Sequence, residues 1–284
     1  MDEQNTDILE RIHASYYQLT ATERKVADFI LAQPDQVQFM SITQLADECG
    51  TADATISRFC RSLKLKGFNA FKIELARHSA TAGKSKHRDE PAKNTLVGRS
   101  LEVGRMANDA IYQTVSLVEP AQVEKAVKMI ENAAQVLCFG AGGSMVMAGE
   151  FSHLFSTVTN KFHAIADSHM QMSAVATMDP KSIIVLFSYS GATTNGLQIL
   201  ELARSRGIQT ILVTRFHKSP AANLADVVLR CGSNEGPFQF GSVPAKIAQL
   251  IVMDVVFQEY CHRNREICEK NVQSIASALS DMHV

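Results

Sequence analysis

The sequence lacks several features that would assign it to other classes of protein. Its six cysteines, at positions 49, 60, 138, 231, 261 and 268, form no CxxC pair, which favours buried, reduced thiols over a zinc site or a disulfide framework. No apolar run approaches the roughly 20 residues that a membrane-spanning helix needs. The first residues, MDEQNTDILERIH, are acidic and polar, unlike a signal peptide. These absences predict a cytoplasmic protein with no metal site and no membrane partner.

The chain also lacks a net charge that could attract nucleic acid as a whole. Its 28 Lys and Arg residues are balanced by 29 Asp and Glu, so the formal charge is −1. Between Thr55 and Arg88, however, nine basic residues face a single acid, Glu74, which is a local excess of eight. A solvated helix face could have this composition, but such segregation is also the electrostatic signature of a DNA-facing surface.

Strand patterns are absent from the first part of the chain. Apolar residues recur there at helical spacing, as in Ile8, Ile12 and Leu19, and Pro34 ends a helical run. Residues 1–80 are therefore predicted to form an all-α domain. Residues 81–98 lose the periodicity and gather Gly, Pro, Ser and Lys, which predicts an exposed linker.

Residues 99–284 show a different pattern, in which short β-branched runs alternate with helical stretches. Such alternation predicts an α/β domain with a parallel sheet and helices on both faces. The runs are QVLCFG (135–140), FHAIA (162–166), SIIVLF (182–187), QTILVT (209–214) and DVVLRC (226–231).

A helix, a tight turn and a second helix between Ser41 and Leu63 indicate a helix-turn-helix motif, although any small helical bundle could mimic it. Ser41 is a plausible N-cap of the first helix, and Gly50 stops that helix. Hydroxyls and basic side chains near the start of a second helix suit base edges and phosphates. The DNA-binding candidates are Thr51, Thr55, Ser57, Arg58, Arg61, Lys64 and Lys66.

Two loops in the second half join glycines to hydroxyl side chains just after apolar strands. The first is GAGGSMVMAG, after QVLCF, and the second is SYSGATTN, after SIIVLF. Ligands of open parallel sheets bind beyond the carboxyl ends of the strands. Since a helix N-terminus there offers unpaired N–H groups and a favourable dipole, the two loops predict an anion site.

Three alternatives compete for these loops. A dinucleotide fingerprint would need its third glycine at position 145, which is methionine, and a Walker loop fails because no G-K-[ST] is present. No cofactor is therefore expected. The hydroxyls could also simply cap helices, but two such loops at adjacent strand ends favour an anion site over caps.

The motifs G-x-G-x-S and S-x-S-G-x-T resemble the sugar isomerase (SIS) domain, which binds phosphosugars. Together with an N-terminal helix-turn-helix, they resemble the RpiR family of bacterial transcriptional regulators over nearly the whole chain. The resemblance implies an SIS-type sheet in which the hydroxyls of Ser188, Ser190 and Thr193 hold a phosphate. Ser144 would contact phosphate or sugar. The implied effector-binding residues are Ser144, Ser188, Ser190, Thr193, Gly142, Gly143, Gly191 and Glu235.

Two positions depart from the family pattern. The family often has Ser-Arg before its late apolar helix, where this chain has Ala245-Lys246, and lysine lacks the bidentate fork of arginine. Asn195 stands where an acid is common, which would alter the sugar preference.

Aldose–ketose isomerisation needs a base beside the substrate C1–C2 bond, and Glu235, His169 and His217 are the candidates. An isomerase has no use for a DNA-binding domain, so the sequence favours a regulator with no catalytic residues. A phosphosugar isomerase with an accessory helical domain is the alternative. The expected partners are a double-stranded DNA operator, a sugar phosphate effector and further copies of the chain, as a dimer or tetramer. By resemblance, the helix after GAGGS and the helix 243–262 would pair the copies.

Overall fold

The structure, a computed structural model, describes residues 7–86, 95–233 and 243–280. Within these residues the chain divides into two compact units, and the division falls between Met106 and Ala107. Residues 243–280 belong to the second unit. The predicted domain limits at residues 80 and 98 stay predictions.

The described part of the N-terminal unit is helical throughout, with one short 3-10 turn at Tyr16–Gln18, as the sequence predicts. Its helices are α1 (Ile8–Ser15), α2 (Ala21–Ala32), α3 (Pro34–Val37), α4 (Ile42–Glu48), α5 (Asp53–Ser62) and α6 (Phe68–Lys86). The next helix, α7 (Leu96–Leu117), contains the division between the units.

Local signals explain where these helices begin and end. Thr20 and Ser41 each close a capping box with the residue three positions later, which satisfies backbone N–H groups at the starts of α2 and α4. Pro34 ends the run of α2 but also begins α3, because a proline at the first helical position loses no hydrogen bond. Gly50, with φ +59°, takes the left-handed conformation that ends α4.

Helix α5 is held by one face. Its residues Ile56, Phe59 and Cys60 are fully buried, and the Phe59 ring packs edge-on against that of Phe71 from α6 at 5.9 Å. Edge-to-face rings at this separation add to the hydrophobic gain of burial. The opposite face of α5 is thereby fixed without contributing to the core.

The C-terminal unit is built on a five-stranded, wholly parallel sheet in the order β2-β1-β3-β4-β5. The strands are β1 (Val136–Gly140), β2 (Phe162–Ala164), β3 (Ile183–Phe187), β4 (Gln209–Thr214) and β5 (Val227–Arg230). The helices that follow α7 are α8 (Pro120–Asn132), α9 (Gly143–Ser156), α10 (Ser168–Thr177), α11 (Thr194–Ser205), α12 (Val243–Arg263) and α13 (Arg265–Leu279).

Alternate strand residues enter two separate cores, so helices cover both faces of the sheet, as predicted. Cys138 and Val185 pack with α8, α9 and α12 on one face. Leu137 and Ile184 pack with α10 and α11 on the other. Such burial on both sides explains why the strands read as continuous apolar runs.

All six cysteines are free, and only Cys261 is more than slightly exposed. Burial raises the pKa of the Cys60 thiol to about 12 and that of Cys49 to about 11, and it also raises the pKa of the fully buried Cys138. The described residues contain no group of three or more His, Cys, Asp or Glu side chains placed to hold a metal ion. Among the helices described, none combines the length and the apolar character needed to cross a membrane.

Candidate functional site

The two glycine and hydroxyl loops follow the adjacent strands β1 and β3. Those strands pair in register from Val136–Ile183 to Gly140–Phe187, so both loops begin at the same edge of the sheet. From β1 the chain order runs outward to β2 on one side, and from β3 it runs outward to β4 and β5 on the other. The loops therefore flank the point where the strand order reverses, which is the usual ligand crevice of an open parallel sheet.

The first loop is a glycine turn into helix α9. Gly142 has φ +54° and is the N-cap of α9, while Gly142 and Gly143 are exposed and Ser144 is half-buried. Gly140 packs tightly against the start of the helix, since a Cβ there would lie 2.6 Å from the carbonyl oxygen of Ser144. The glycines thus bring backbone N–H groups to the surface of the crevice.

The second loop is a compact turn between β3 and α11. The buried Ser188 donates its N–H to Val213 O, and its own carbonyl accepts from Gly191 N, both at 3.0 Å. Ser188 Oγ and Thr193 Oγ1 lie 3.3 Å apart. Two of the three predicted phosphate ligands are therefore neighbours in space.

Ser190 lies on the same turn and is half-buried, and its Oγ accepts from Ala192 N at 3.3 Å. A hydroxyl that accepts from the backbone still has its own hydrogen to donate. Ser190 thus joins the pair of hydroxyls as a third potential donor on one turn.

Gly191 fixes the path of this turn. It has φ +61°, and a Cβ at this position would lie 2.6 Å from the Cβ of Ser219, a fully buried residue in the segment after β4. Its carbonyl accepts from Ala221 N at 2.9 Å. Only glycine combines this φ with so close an approach.

Helix capping does not account for Thr193. This residue is the N-cap of α11, yet its side chain makes no capping hydrogen bond. By contrast, Asp167 at the start of α10 accepts from Met170 N, at 2.8 Å. The hydroxyl of Thr193 therefore lies at a helix N-terminus without satisfying it, and the first-turn N–H groups have no partner within the helix.

Gln171 of α10 connects the two loops, and no sequence motif marks it. Its side chain is fully buried, and its Nε2 donates to Gly140 O at 3.0 Å and to Ile165 O at 2.8 Å. Its Oε1 accepts from Asn195 Nδ2 at 3.0 Å. Asn195, where the family pattern often has an acid, is thus one half of an amide pair.

Tyr189, between the two serines of the second loop, is hydrogen-bonded outside the crevice. Its hydroxyl donates to Ser233 O at 2.9 Å. The adjacent Gly232 donates its N–H to Thr114 Oγ1 of α7 at 3.1 Å, and its carbonyl accepts from the same hydroxyl. The loop is therefore anchored to the strand end that α7 holds.

The remaining candidates are not brought together by the described residues. Glu235 lies outside them. His169 on α10 and His217 after β4 are both exposed. Partial desolvation and the nearby Arg230 and Lys218 charges lower the pKa of His217. Lys246 on α12 is half-buried.

The candidate DNA surface is the exposed face of α5. Arg58 and Arg61 lie three positions apart on this helix, and Ser57 directly precedes Arg58. Arg61 is exposed. After α5, Lys64 closes the helix with φ +59° and is exposed, as is Lys66 nearby. This surface can present several cations to a phosphate backbone and two arginines to base edges.

Of the DNA-binding candidates, Thr55 is buried rather than exposed, and Thr51 is half-buried. Thr55 is only 6% exposed, because it lies one helical turn before the buried Phe59, and its Oγ1 accepts from Arg58 Nη2 at 3.3 Å. Thr51 is half-buried, and its buried Oγ1 has no hydrogen-bond partner among the described residues. Thr55 can therefore contribute to a DNA surface only by orienting Arg58.

Comparison with known proteins gives both halves a relative. The helix-turn-helix domain of the rpiR family matches residues 6–82, and the SIS domain matches residues 129–258. An uncharacterized HTH-type transcriptional regulator of Caldanaerobacter subterraneus is 30% identical over 252 residues, which cover 89% of each chain. Another, from Haemophilus influenzae, is 28% identical over 98% of each chain.

A solved structure has the same fold over nearly the full length. It is described as the Vibrio vulnificus NanR protein complexed with ManNAc-6P, and its TM-score is 0.87 at 23% identity. The match covers 98% of this chain and 100% of that one. The predicted pairing of a helix-turn-helix domain with an SIS domain is thereby confirmed.

Proposed function

The chain belongs to the RpiR family of helix-turn-helix transcriptional regulators, and we propose that a phosphorylated sugar bound in its SIS domain controls its binding to DNA. The observation that supports this most is the meeting of two glycine and hydroxyl loops where the strand order reverses. A crevice of this kind favours a ligand with one compact anionic group.

Three hydroxyls and the first turn of α11 would hold the phosphate. Ser188, Ser190 and Thr193 each donate one hydrogen bond, and the helix N-terminus adds backbone N–H groups and the positive end of its dipole. Ser144, at the start of α9, would reach the same anion or the sugar. Gly142, Gly143 and Gly191 admit the ligand to the backbone, and Glu235 would contact sugar hydroxyls.

The chain is a regulator rather than an enzyme, since relatives that cover nearly its whole length are named transcriptional regulators. Of the three bases considered for isomerisation, the two histidines are exposed on separate segments. An assay of aldose–ketose interconversion with hexose and amino-sugar phosphates should show no turnover. Steady turnover that disappears in a Glu235→Gln variant would instead favour the isomerase alternative.

On the DNA side, we propose that Arg58 and Arg61 lie against an operator, supported by Lys64, Lys66 and Ser57. A helix-turn-helix module usually binds as one of two copies on half-sites about one helical turn apart. The protein should therefore be at least a dimer, and a monomeric mass by light scattering at micromolar concentration would contradict this. Because a DNA-binding regulator works where the genome is, the expected cytoplasmic location belongs to the same proposal.

The effector is best identified by a thermal-shift screen of the purified protein against sugar phosphates. ManNAc-6P is a first candidate, because the structurally similar NanR is described in complex with it. Hexose 6-phosphates and sugar-acid phosphates complete the panel, with the unphosphorylated sugars as matched controls. A ligand that binds only the folded state raises the melting temperature by mass action. No shift with any member, at millimolar concentration, would contradict an anion site in the SIS domain.

A further inference from the structure

A single buried side chain connects the two loops of the proposed effector site. Gln171 lies on α10, outside both loops, and its side chain is fully buried. It bonds to the last residue of β1, to Ile165 just after β2 and to Asn195 in the first turn of α11. These three elements surround the point where the strand order reverses.

The hydrogen bonds fix which way this amide points. Gly140 O and Ile165 O are both acceptors, so only the Nε2 end of Gln171 can face them. The reversed amide would place Oε1 against two carbonyl oxygens and lose both bonds. Oε1 must therefore face α11, where it accepts from Asn195 Nδ2.

The consequence reaches the backbone donors of both loops. The carbonyl of Gly140 and the N–H of Ala141 share one planar peptide, so a donor that fixes the first also orients the second. Asn195 is the second residue of α11, and its side chain ties the N-terminal turn of that helix to the same amide. One side chain thus sets the spacing between the two groups of N–H and hydroxyl donors.

We propose that Gln171 is the positioning residue of the effector site: its amide holds the Gly140 loop and the α11 N-terminus in one arrangement, so that both address the same phosphate. This inference rests on the proposed function for its ligand, but not for the locking of the loops. A preorganised site loses less entropy when it binds, and a loosened one binds more weakly even with every ligand group present.

The chain provides a matched control. Gln249 of α12 is also a buried glutamine of the C-terminal unit, 3% exposed, and its Nε2 donates to Ala245 O of its own helix. Gln171→Met and Gln249→Met keep the side-chain length and remove the amide. Gln171→Met removes a donor from two backbone carbonyls and the acceptor of Asn195, so this variant is expected to melt at lower temperature than the unchanged protein. Gln249→Met removes one donor, and its buried Oε1 has no partner among the described residues, so its melting temperature should change less.

The decisive measurement is binding of inorganic phosphate to the full chain, followed by melting temperature over a concentration series. Gln171→Met should weaken phosphate binding by about tenfold or more, while Gln249→Met should stay within about twofold of the unchanged protein. Native affinity in Gln171→Met, or an equal loss in Gln249→Met, would overturn the proposal. If phosphate and the sugar-phosphate panel leave the unchanged protein unaffected, the proposed function itself fails.

Hydrogen exchange without ligand tests the locking separately. In Gln171→Met, the hydrogen-bonded backbone amides of Ser144, Met145 and Leu197 should exchange faster, and in Gln249→Met they should not. Unchanged exchange at these amides would overturn the positioning role even if phosphate binding had weakened.

A third variant, Gln171→Glu, adds a pH dependence. The carboxyl that it introduces could donate to a backbone carbonyl only while protonated, so the phosphate affinity of this variant, relative to that of the unchanged protein, should rise as pH falls. A ratio that falls as pH falls would contradict the assigned direction of the amide.

Discussion

The two units present their binding groups in opposite ways. In the N-terminal unit the candidate DNA groups are long, charged side chains on and just after α5, whose other face is fully buried. In the C-terminal unit the candidate anion groups are short hydroxyls and backbone amides on close-packed turns. Removing a side chain from the candidate DNA surface should therefore disturb the packing little, whereas the candidate anion site depends on the path of the backbone itself.

This difference separates the two kinds of residue in the anion site. Neither Ser190 nor Thr193 is buried, so the loss of their hydroxyls should reduce binding more than stability. The glycines determine the turn, so their replacement should reduce both. The following predictions test that distinction, from the largest expected effect to the smallest.

Gly191→Ala should be the most damaging change. A side chain at φ +61° costs about 1–2 kcal/mol, and forcing its Cβ against the buried Ser219 adds about 1–3 kcal/mol. Gly207→Ala is the matched control, because Gly207 has φ +69° but open space around its Cβ position. Urea unfolding of the two variants should therefore differ by the steric part alone.

A second-site change can confirm the cause. Ser219→Gly in the Gly191→Ala background should recover stability, since it removes the side chain that the new Cβ meets. Equal stability of Gly191→Ala and Gly207→Ala would mean that the turn is looser than its contacts indicate.

Ser190 should affect binding far more than folding. Each hydrogen bond to a charged oxygen contributes roughly 1.5–3 kcal/mol, so Ser190→Ala should weaken the effector about ten- to a hundredfold. Ser190→Asp should be worse, because it opposes the phosphate with a negative charge. If the hydroxyl were only a helix cap, Asp would be tolerated. Native effector affinity in Ser190→Asp, by titration, would place the anion elsewhere.

Arg58 and Arg61 should govern DNA binding without altering the fold. Replacing either with Ala should cost about 1–3 kcal/mol if it contacts a base, and should reduce the salt slope by about one if it contacts only phosphate. Lys25→Ala, an exposed cation on α2, is the control. The measurement is operator affinity against salt concentration. Unchanged affinity in both arginine variants would show that α5 is not the recognition helix.

The smallest effect compares two N-cap residues. Ser41 accepts from Gln44 N and closes a capping box, so Ser41→Ala should destabilise the protein by about 1 kcal/mol. Thr193 makes no capping bond, so Thr193→Ala should lower the melting temperature less than Ser41→Ala does, while it weakens effector binding. A larger loss of stability at Thr193 than at Ser41 would make capping its main role.

Much of the fold follows from the sequence, because its signals are local. The five strands lie within two residues of their predicted ends, since each falls in a short run with apolar residues that ends near a glycine, a serine or a charged residue. The crevice follows from parallel strands whose carboxyl ends share one edge. Helix α3 does not follow from the sequence, because Pro34 signals the end of one helix and the start of another equally well.

The site residues that the sequence does not predict depend on contacts between distant segments. Gln171 belongs to no motif, and the hydrogen-bond partners of its side chain come from 6 to 31 positions away along the chain. The burial of Thr55 could in principle be predicted from the sequence, because residue 59 is four positions later and apolar. A threonine can occupy either side of a helix, however, so its own chemistry does not decide the matter.

A buried thiol in each unit can report how often the structure around it opens. A cysteine reacts as its thiolate, and burial has raised the pKa of Cys60 in the N-terminal unit and of Cys138 in strand β1. Neither should be alkylated until the structure around it opens. Under native conditions, the alkylation rates of Cys60 and Cys138 therefore measure the opening of the two units separately, in one unmodified chain. A ligand held at the end of β1 would slow the labelling of Cys138 in proportion to its occupancy, and Cys60 would be the reference measured in the same tube.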